Sequence, residues 1–183
     1  VMGVASLRNP VNLAVATWAW GNYYGDAKMK GAKLDVAKWQ RPDPKTAPFE
    51  AKAAGLYMIA TMSKHTAEAN GCSDAMMMDY RGYVAEATGA NIFFVKDGEV
   101  HTPTPDAFLN GLTRQTVIEM LAKMGVKVHE RHILPGELED FSQCWLTGSA
   151  AEITPVGQIG NYNFEVGELT QAVSKNYEQL VRE

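Results

Sequence analysis

Cysteine is scarce in this chain: Cys72 and Cys144 are its two, in 183 residues. They lie far apart and form no CxxC pair. That excludes a disulfide framework and points to free thiols in a reducing, cytoplasmic setting. Long apolar runs are missing too. No stretch reaches the roughly 18 residues that a membrane helix needs. The amino-terminal residues lack the basic, apolar and cleavage regions of a secretory signal. Charge of one sign is not in excess, with a formal net charge of −4. The basic residues Lys28, Lys30, Lys33, Lys38, Arg41 and Lys45 are interleaved with Asp26, Asp35 and Asp43. This pattern predicts a solvated surface and argues against a nucleic-acid partner. Repeats and low-complexity tracts are absent, and so are a GxxxxGK phosphate loop and a serine nucleophile elbow. His129 and His132 are three apart, a spacing that faces opposite sides of a strand, so no metal site is expected. His65 and His101 have no ligand partners nearby in sequence.

What is present suffices for a packed core. Apolar residues make up 46% of the chain and charged ones 21%, which fits an ordered globular fold of one core or two small ones. The first residue is Val1, and a strand-like run follows almost at once, so a fragment of a longer protein is expected.

The β-branched run from Val11 to Trp18 predicts a strand. A short helical stretch is expected over 26–33 and a second strand over 36–40. Pro42, Pro44 and Pro48 make a stiff loop, and a helix is predicted from about Pro48 to near Gly71. The run 74–79 reads as a strand covered on both faces. Tyr80-Arg81-Gly82 turns the chain into a strand over 83–86. Asp97-Gly98 joins a hairpin of 92–95 and 100–102. A helix over 113–123, a strand over 126–133, a short acidic helix over 135–141, a strand over 144–147 and a helix over 168–183 complete the pattern. The hairpins favour an α+β fold with a mixed, largely antiparallel barrel-like sheet flanked by helices.

Several segments could carry chemistry. Lys52 stands in Phe49-Glu50-Ala51-Lys52-Ala53-Ala54-Gly55-Leu56-Tyr57. Buried among alanines, its ammonium form would be costly, and a neutral amine is a nucleophile for a carbonyl cofactor. Taken singly, a lysine is far more often solvated. Glu86 ends a strand before Ala87-Thr88-Gly89-Ala90-Asn91, where small residues would admit a flat ligand. Leu109-Asn110-Gly111-Leu112-Thr113-Arg114 opens a helix whose amides could meet an anion, or could simply be capped by Asn110 or Thr113. Thr147-Gly148-Ser149-Ala150-Ala151-Glu152 could hold a second anion, or be an ordinary turn.

Taken together, Trp20-Gly21-Asn22-Tyr23, Lys52 with Tyr57, Asp79 to Glu86 with Gly89 and Asn91, Gly111 to Arg114, and Thr147 to Val156 resemble the second half of a fold-type IV pyridoxal-phosphate aminotransferase. The branched-chain amino-acid aminotransferases match best, from about Thr17 to the last helix. The resemblance implies that Lys52 binds pyridoxal 5′-phosphate covalently. It implies that Tyr57 bonds the cofactor's phenolic oxygen and that Glu86 pairs with its ring nitrogen. Leu109 would pack on the ring, Leu112, Thr113 and Ser149 would hold the phosphate, and Gly89 belongs to the same set. Trp20 and Tyr23 would flank the substrate, with the Ala150 amide near its carboxylate. Two departures stand at Leu56 and Ser149, where the family often has asparagine and threonine.

The implied activity is transamination of leucine, isoleucine and valine with 2-oxoglutarate, in a homodimer or higher homo-oligomer. The implied division is an interdomain segment and first strand over 1–25, and a cofactor-binding large domain over 26–183. On the same resemblance, the family's amino-terminal small domain is expected to be absent from this chain. A D-amino-acid aminotransferase or an aminodeoxychorismate lyase would share Lys52 and Glu86, and a folded module without catalysis is the reading from another class.

Overall fold

The computed structural model describes residues 9–21, 23–25 and 30–182. Nine strands form one sheet: β1 (Ala32–Val36), β2 (Asp74–Met78), β3 (Val84–Ala87), β4 (Asn91–Lys96), β5 (Glu99–Pro103), β6 (Val128–Arg131), β7 (Gln143–Gly148), β8 (Glu152–Ile159) and β9 (Tyr162–Asn163). Among the described residues, α1 (Met58–Ala69), α2 (Leu112–Lys123) and α3 (Glu168–Arg182) join them. The order β3-β2-β1-β8-β7-β4 closes on itself because Glu86 of β3 pairs with Asn91 of β4. β5 and β6 extend the sheet beyond β4, and β9 lies on β8. β1 runs parallel to both neighbours, and β5 parallel to β6, while the remaining pairs are antiparallel. The α+β, barrel-like expectation holds.

Alternation along β4 and β7 explains why these strands read as unbroken apolar runs. Ile92, Phe94, Cys144 and Leu146 point into the barrel with Leu34, Met76 and Val156. Phe93, Val95 and Trp145 point outward onto Val117 and Leu121 of α2 and Val173 and Tyr177 of α3. Each strand therefore buries both faces. α1 shows Ala60, Ser63 and Ala67 to the sheet, small residues that let it lie close on Ala75 and Met77 of β2. Among the described residues no helix is long and apolar enough to cross a membrane. Both cysteines are free, and burial pushes the Cys144 thiol well above its ordinary range.

Some boundaries differ from expectation. Residues 11–18 form no strand, and Val11, Leu13 and Val15 are exposed. β-branched side chains favour an extended chain, but a strand also needs a ladder partner, and none pairs with this run. Of the helical stretch expected over 26–33, residues 26–29 lie outside the described residues. Gly31 then turns at φ 80° and packs against the Gly157 backbone, so that β1 occupies 32–36 where 36–40 was expected. The helix predicted from Pro48 starts only at Met58, after a 3₁₀ turn over Ala54–Tyr57. Turn bonds from the Ala51 amide to the Pro48 carbonyl and from the Leu56 amide to the Ala53 carbonyl occupy the intervening backbone, and Gly55 weakens any helix there. β8 is unexpected because Pro155 and Gly157 read against a strand. β1 meets β8 only from Val156 onward, so Pro155 has a ladder partner on one side alone, where its missing N–H is tolerated.

Candidate active site

Two adjoining cavities open beside the closing pair of the barrel. The first, of about 330 Å³, is lined by residues from the loop before α1, from β3 and the turn after it, from the start of α2, and from the end of β7. Lys52, Tyr57, Glu86, Gly89, Leu109, Leu112, Thr113 and Ser149 all line it. The second, of about 530 Å³, is walled by Trp20, Tyr23 and Ala150 and shares Ser149 with the first. The structure thus gathers every candidate residue, in two sets that meet at one serine.

Glu86 is buried, at 8% exposure, inside the closing register of the barrel. Asn91 Nδ2 donates to its Oε2 at 3.1 Å and to the Leu109 carbonyl at 3.0 Å. The Gly111 amide donates to Asn91 Oδ1 at 3.2 Å. One carboxamide therefore joins Glu86 to the loop that starts α2. Arg41 Nε stands 3.3 Å from Glu86 Oε1, an ion pair in which Nε is not aligned as a hydrogen-bond donor. Arg41 is 6% exposed, which corrects its expected place among solvated basic residues. Burial pushes the Glu86 carboxyl up to about 8, the Arg41 guanidinium draws it down in part, and Asp74 adds a smaller push upward. Desolvation outweighs the single unaligned charge.

α2 begins without a side-chain cap. Asn110, a candidate cap, instead accepts from Arg114 Nη1 at 2.9 Å. Arg114 is 1% exposed and also donates to the Pro103 carbonyl at 3.0 Å and Glu130 Oε2 at 2.8 Å, so it pins the helix start to β5 and β6. The first helical bond runs from the Gln115 amide to the Gly111 carbonyl, which leaves the preceding amides without an intrahelical acceptor. These amides and the dipole face the cavity wall with the chemistry that suits an anion. Across it Thr147 is buried, its hydroxyl unpartnered among the described residues.

Lys52 departs from expectation in one respect. It is exposed and non-helical, not buried among alanines. The turns of 48–56 present it at the cavity rim rather than inside the core. Arg41, Asn91, Thr88 and Thr147 also line the first cavity, although sequence reasoning assigned them no site role. Asn91 stood within a family-like motif, whereas Arg41 carried no signal, because its partner lies 45 positions away and only the sheet brings them together. The histidines take separate partners: His129 faces Glu99 at 2.6 Å and stacks on His101, and His132 faces Asp106 at 2.9 Å.

Comparison with known proteins agrees with this geometry. The profile of the amino-transferase class IV family matches residues 3–159. A probable branched-chain-amino-acid aminotransferase of Rickettsia felis is 40% identical over 158 residues, covering 84% of this chain and 54% of its own. The branched-chain aminotransferase of Thermoproteus uzoniensis, solved with norvaline, superposes with a TM-score of 0.86 at 34% identity, over 91% of this chain and 55% of that one. An aminotransferase from Brucella abortus, solved bound to the co-factor PLP, superposes with a TM-score of 0.79 at 32% identity, over 84% of this chain and 55% of that one. The chain spans about half the length of the relatives it matches. A closed mixed barrel, a lysine and a buried carboxyl on one cavity, and this breadth of likeness have one common origin: the chain belongs to the class IV amino-transferase family.

Proposed function

We propose that this chain is the cofactor-binding part of a pyridoxal-phosphate aminotransferase that exchanges the amino group of leucine, isoleucine or valine with 2-oxoglutarate. The observation that carries this reading is that Lys52 and Glu86 line the same cavity, together with an uncapped helix start. The named relatives support the substrate class.

The residues present fit the cofactor. The cavity volume, about 330 Å³, falls in the range of small-molecule sites. The unpartnered Thr147 hydroxyl and the free amides of α2 ask for an acceptor, which a phosphate supplies. A carboxyl pushed up to about 8 has a proton to share with a ring nitrogen. Bound there, pyridoxal phosphate supplies an electron sink for the pair released when the substrate Cα–H is broken. Lys52 would hold the group covalently through its amine, and that amine would be the base that takes and returns the substrate Cα proton. Glu86 would hold the proton at the ring nitrogen, and Asn91 and Arg41 hold Glu86. The amides of Leu112 and Thr113, with the hydroxyls of Thr113 and Ser149, would hold the phosphate. Tyr57 would donate to the phenolic oxygen, while Leu109 and Gly89 would bound the ring. Trp20, Tyr23 and the Ala150 amide receive the substrate in the second cavity.

The same reading takes residues 26–183 as the cofactor-binding large domain, which the lining set of the first cavity, drawn from 41–149, supports. It takes the protein as a cytoplasmic homodimer or higher homo-oligomer. Its free cysteines suit a reducing compartment, and the exposed Val11, Leu13 and Val15 suit an assembly that covers them. Sedimentation at several concentrations tests the assembly. The function is tested by adding pyridoxal phosphate, reducing with borohydride and mapping the adduct, which should fall on Lys52. Turnover of L-leucine with 2-oxoglutarate, and none of D-alanine, should follow. A protein that takes up no cofactor refutes the reading.

A further inference from the structure

Asp74 opens β2 and is fully buried, at 0% exposure. Its Oδ1 accepts from the Thr88 hydroxyl at 2.6 Å and from the Ala75 amide at 2.7 Å. Its Oδ2 accepts from the Tyr24 hydroxyl and lies 3.9 Å from the Lys64 ammonium of α1. The same ammonium sits 5.2 Å from the Tyr24 ring centroid and 5.4 Å from that of Tyr23. Burial and Asp74 hold the Tyr24 hydroxyl far above the ordinary phenol range, so it is a donor at every working pH. Four segments of the chain thus meet at one carboxylate.

The aromatic arm needs such a point. Tyr24 packs on the barrel core, and Tyr23 stands edge-on to it with centroids 4.8 Å apart. Tyr23 meets Trp20 at 6.1 Å, and Trp20 stacks on Trp18 at 5.5 Å. Yet Trp18 is 65% and Trp20 63% exposed, so burial does little to hold the outer members. The series is fixed at its inner end, where Tyr24 reaches Asp74. Thr88, bonded to the same carboxylate, lines the first cavity, and Trp20, Tyr23 and Tyr24 line the second.

We propose that Asp74 is a positioning residue for the substrate chamber, tying the aromatic arm through Tyr24 and the turn after β3 through Thr88 to one buried point. This rests on the reading that the second cavity takes the amino-acid substrate. Nothing in the proposal places Asp74 or Tyr24 in contact with the reacting atoms. Asp74 acts through Tyr24, Tyr23, Trp20 and Thr88, and Tyr24 also walls the second cavity itself.

The test uses the whole enzyme with its cofactor, as wild type, Tyr24→Phe, Asp74→Asn and the double variant. Tyr24→Phe removes one hydroxyl. It should raise the KM for L-leucine roughly tenfold, the scale of one hydrogen bond to a carboxylate, with kcat held within about threefold. Absorbance of the bound cofactor should not change. The near-ultraviolet circular dichroism of the stacked Trp18 and Trp20 should weaken, with or without substrate. The double variant should be no worse than Asp74→Asn, because both break one linkage. A KM for Tyr24→Phe within about twofold of wild type, or an unaltered dichroism signal, overturns the proposal. Should Asp74→Asn fail to fold, Tyr24→Phe decides alone. A wild-type protein that does not turn over L-leucine refutes the functional reading instead, and the dichroism comparison still decides the tether.

Discussion

The side-chain oxygen of Asn91 accepts the Gly111 amide at 3.2 Å, and a Cβ placed on Gly111 would stand 2.5 Å from that oxygen. The glycine is required by close approach, since its φ is −62°, which any residue adopts. Through this contact the start of α2 and Glu86 share one support. Gly111→Ala should displace Asn91 and weaken pyridoxal-phosphate binding by roughly tenfold, the equivalent of one hydrogen bond. Asn91→Ala should do the same, and the two losses should not add. Fluorescence titration with the cofactor measures both, and full affinity in Gly111→Ala would separate the helix start from the Glu86 support.

Lys52→Ala should abolish transamination while the phosphate grip of α2 still retains some cofactor. Borohydride reduction of this variant should leave no adduct on residues 49–57. Retained turnover would mean that another amine serves the reaction.

Glu86→Ala should lose most of the activity with the fold intact, because the ring nitrogen loses its partner. A near-normal rate would hand that role to a different group.

Glu86 also predicts a pH dependence without cofactor. Its folded pKa is raised from 4.5 to about 8 by burial. Between those values the folded state holds a proton that the unfolded state has released. The stability from neutral Glu86 is therefore complete below about pH 4.5 and lost as pH rises to about 8, at no more than about 1.4 kcal/mol per pH unit. Urea unfolding of the cofactor-free protein should show this fall, and Glu86→Gln, which cannot ionise, should flatten it. An equal slope in both proteins would assign the titration elsewhere.

Phe93 and Trp145 stack at 5.5 Å with both side chains at 0% exposure between the sheet and its helices. Trp145→Ala should cost about 3–5 kcal/mol in chemical denaturation. Among the described residues the indole N–H has no partner, so Trp145→Phe loses volume but also removes an unsatisfied donor. It should cost less than about 1.5 kcal/mol. Equal costs would mean that the indole ring, not hydrophobic filling, governs the layer.

Local pattern was enough for the hairpin at Asp97-Gly98 and for α2 and α3, because each is decided by neighbours in the chain, while the unbroken apolar run of β2 only signalled the two-faced burial that the barrel and α1 supply. The candidate residues Lys52, Glu86, Thr113 and Ser149 were legible for a related reason: each sits in a short motif whose chemistry travels with it. The 11–18 segment and β8 were misread, since strands depend on partners that propensity does not name. Only the closed barrel decided that Arg41 would face Glu86, that Asn91 would bridge to Gly111, and that Asp74 would collect Tyr24, Thr88 and Lys64. Those contacts join positions far apart in sequence. Their strength comes from burial, which no single segment can create.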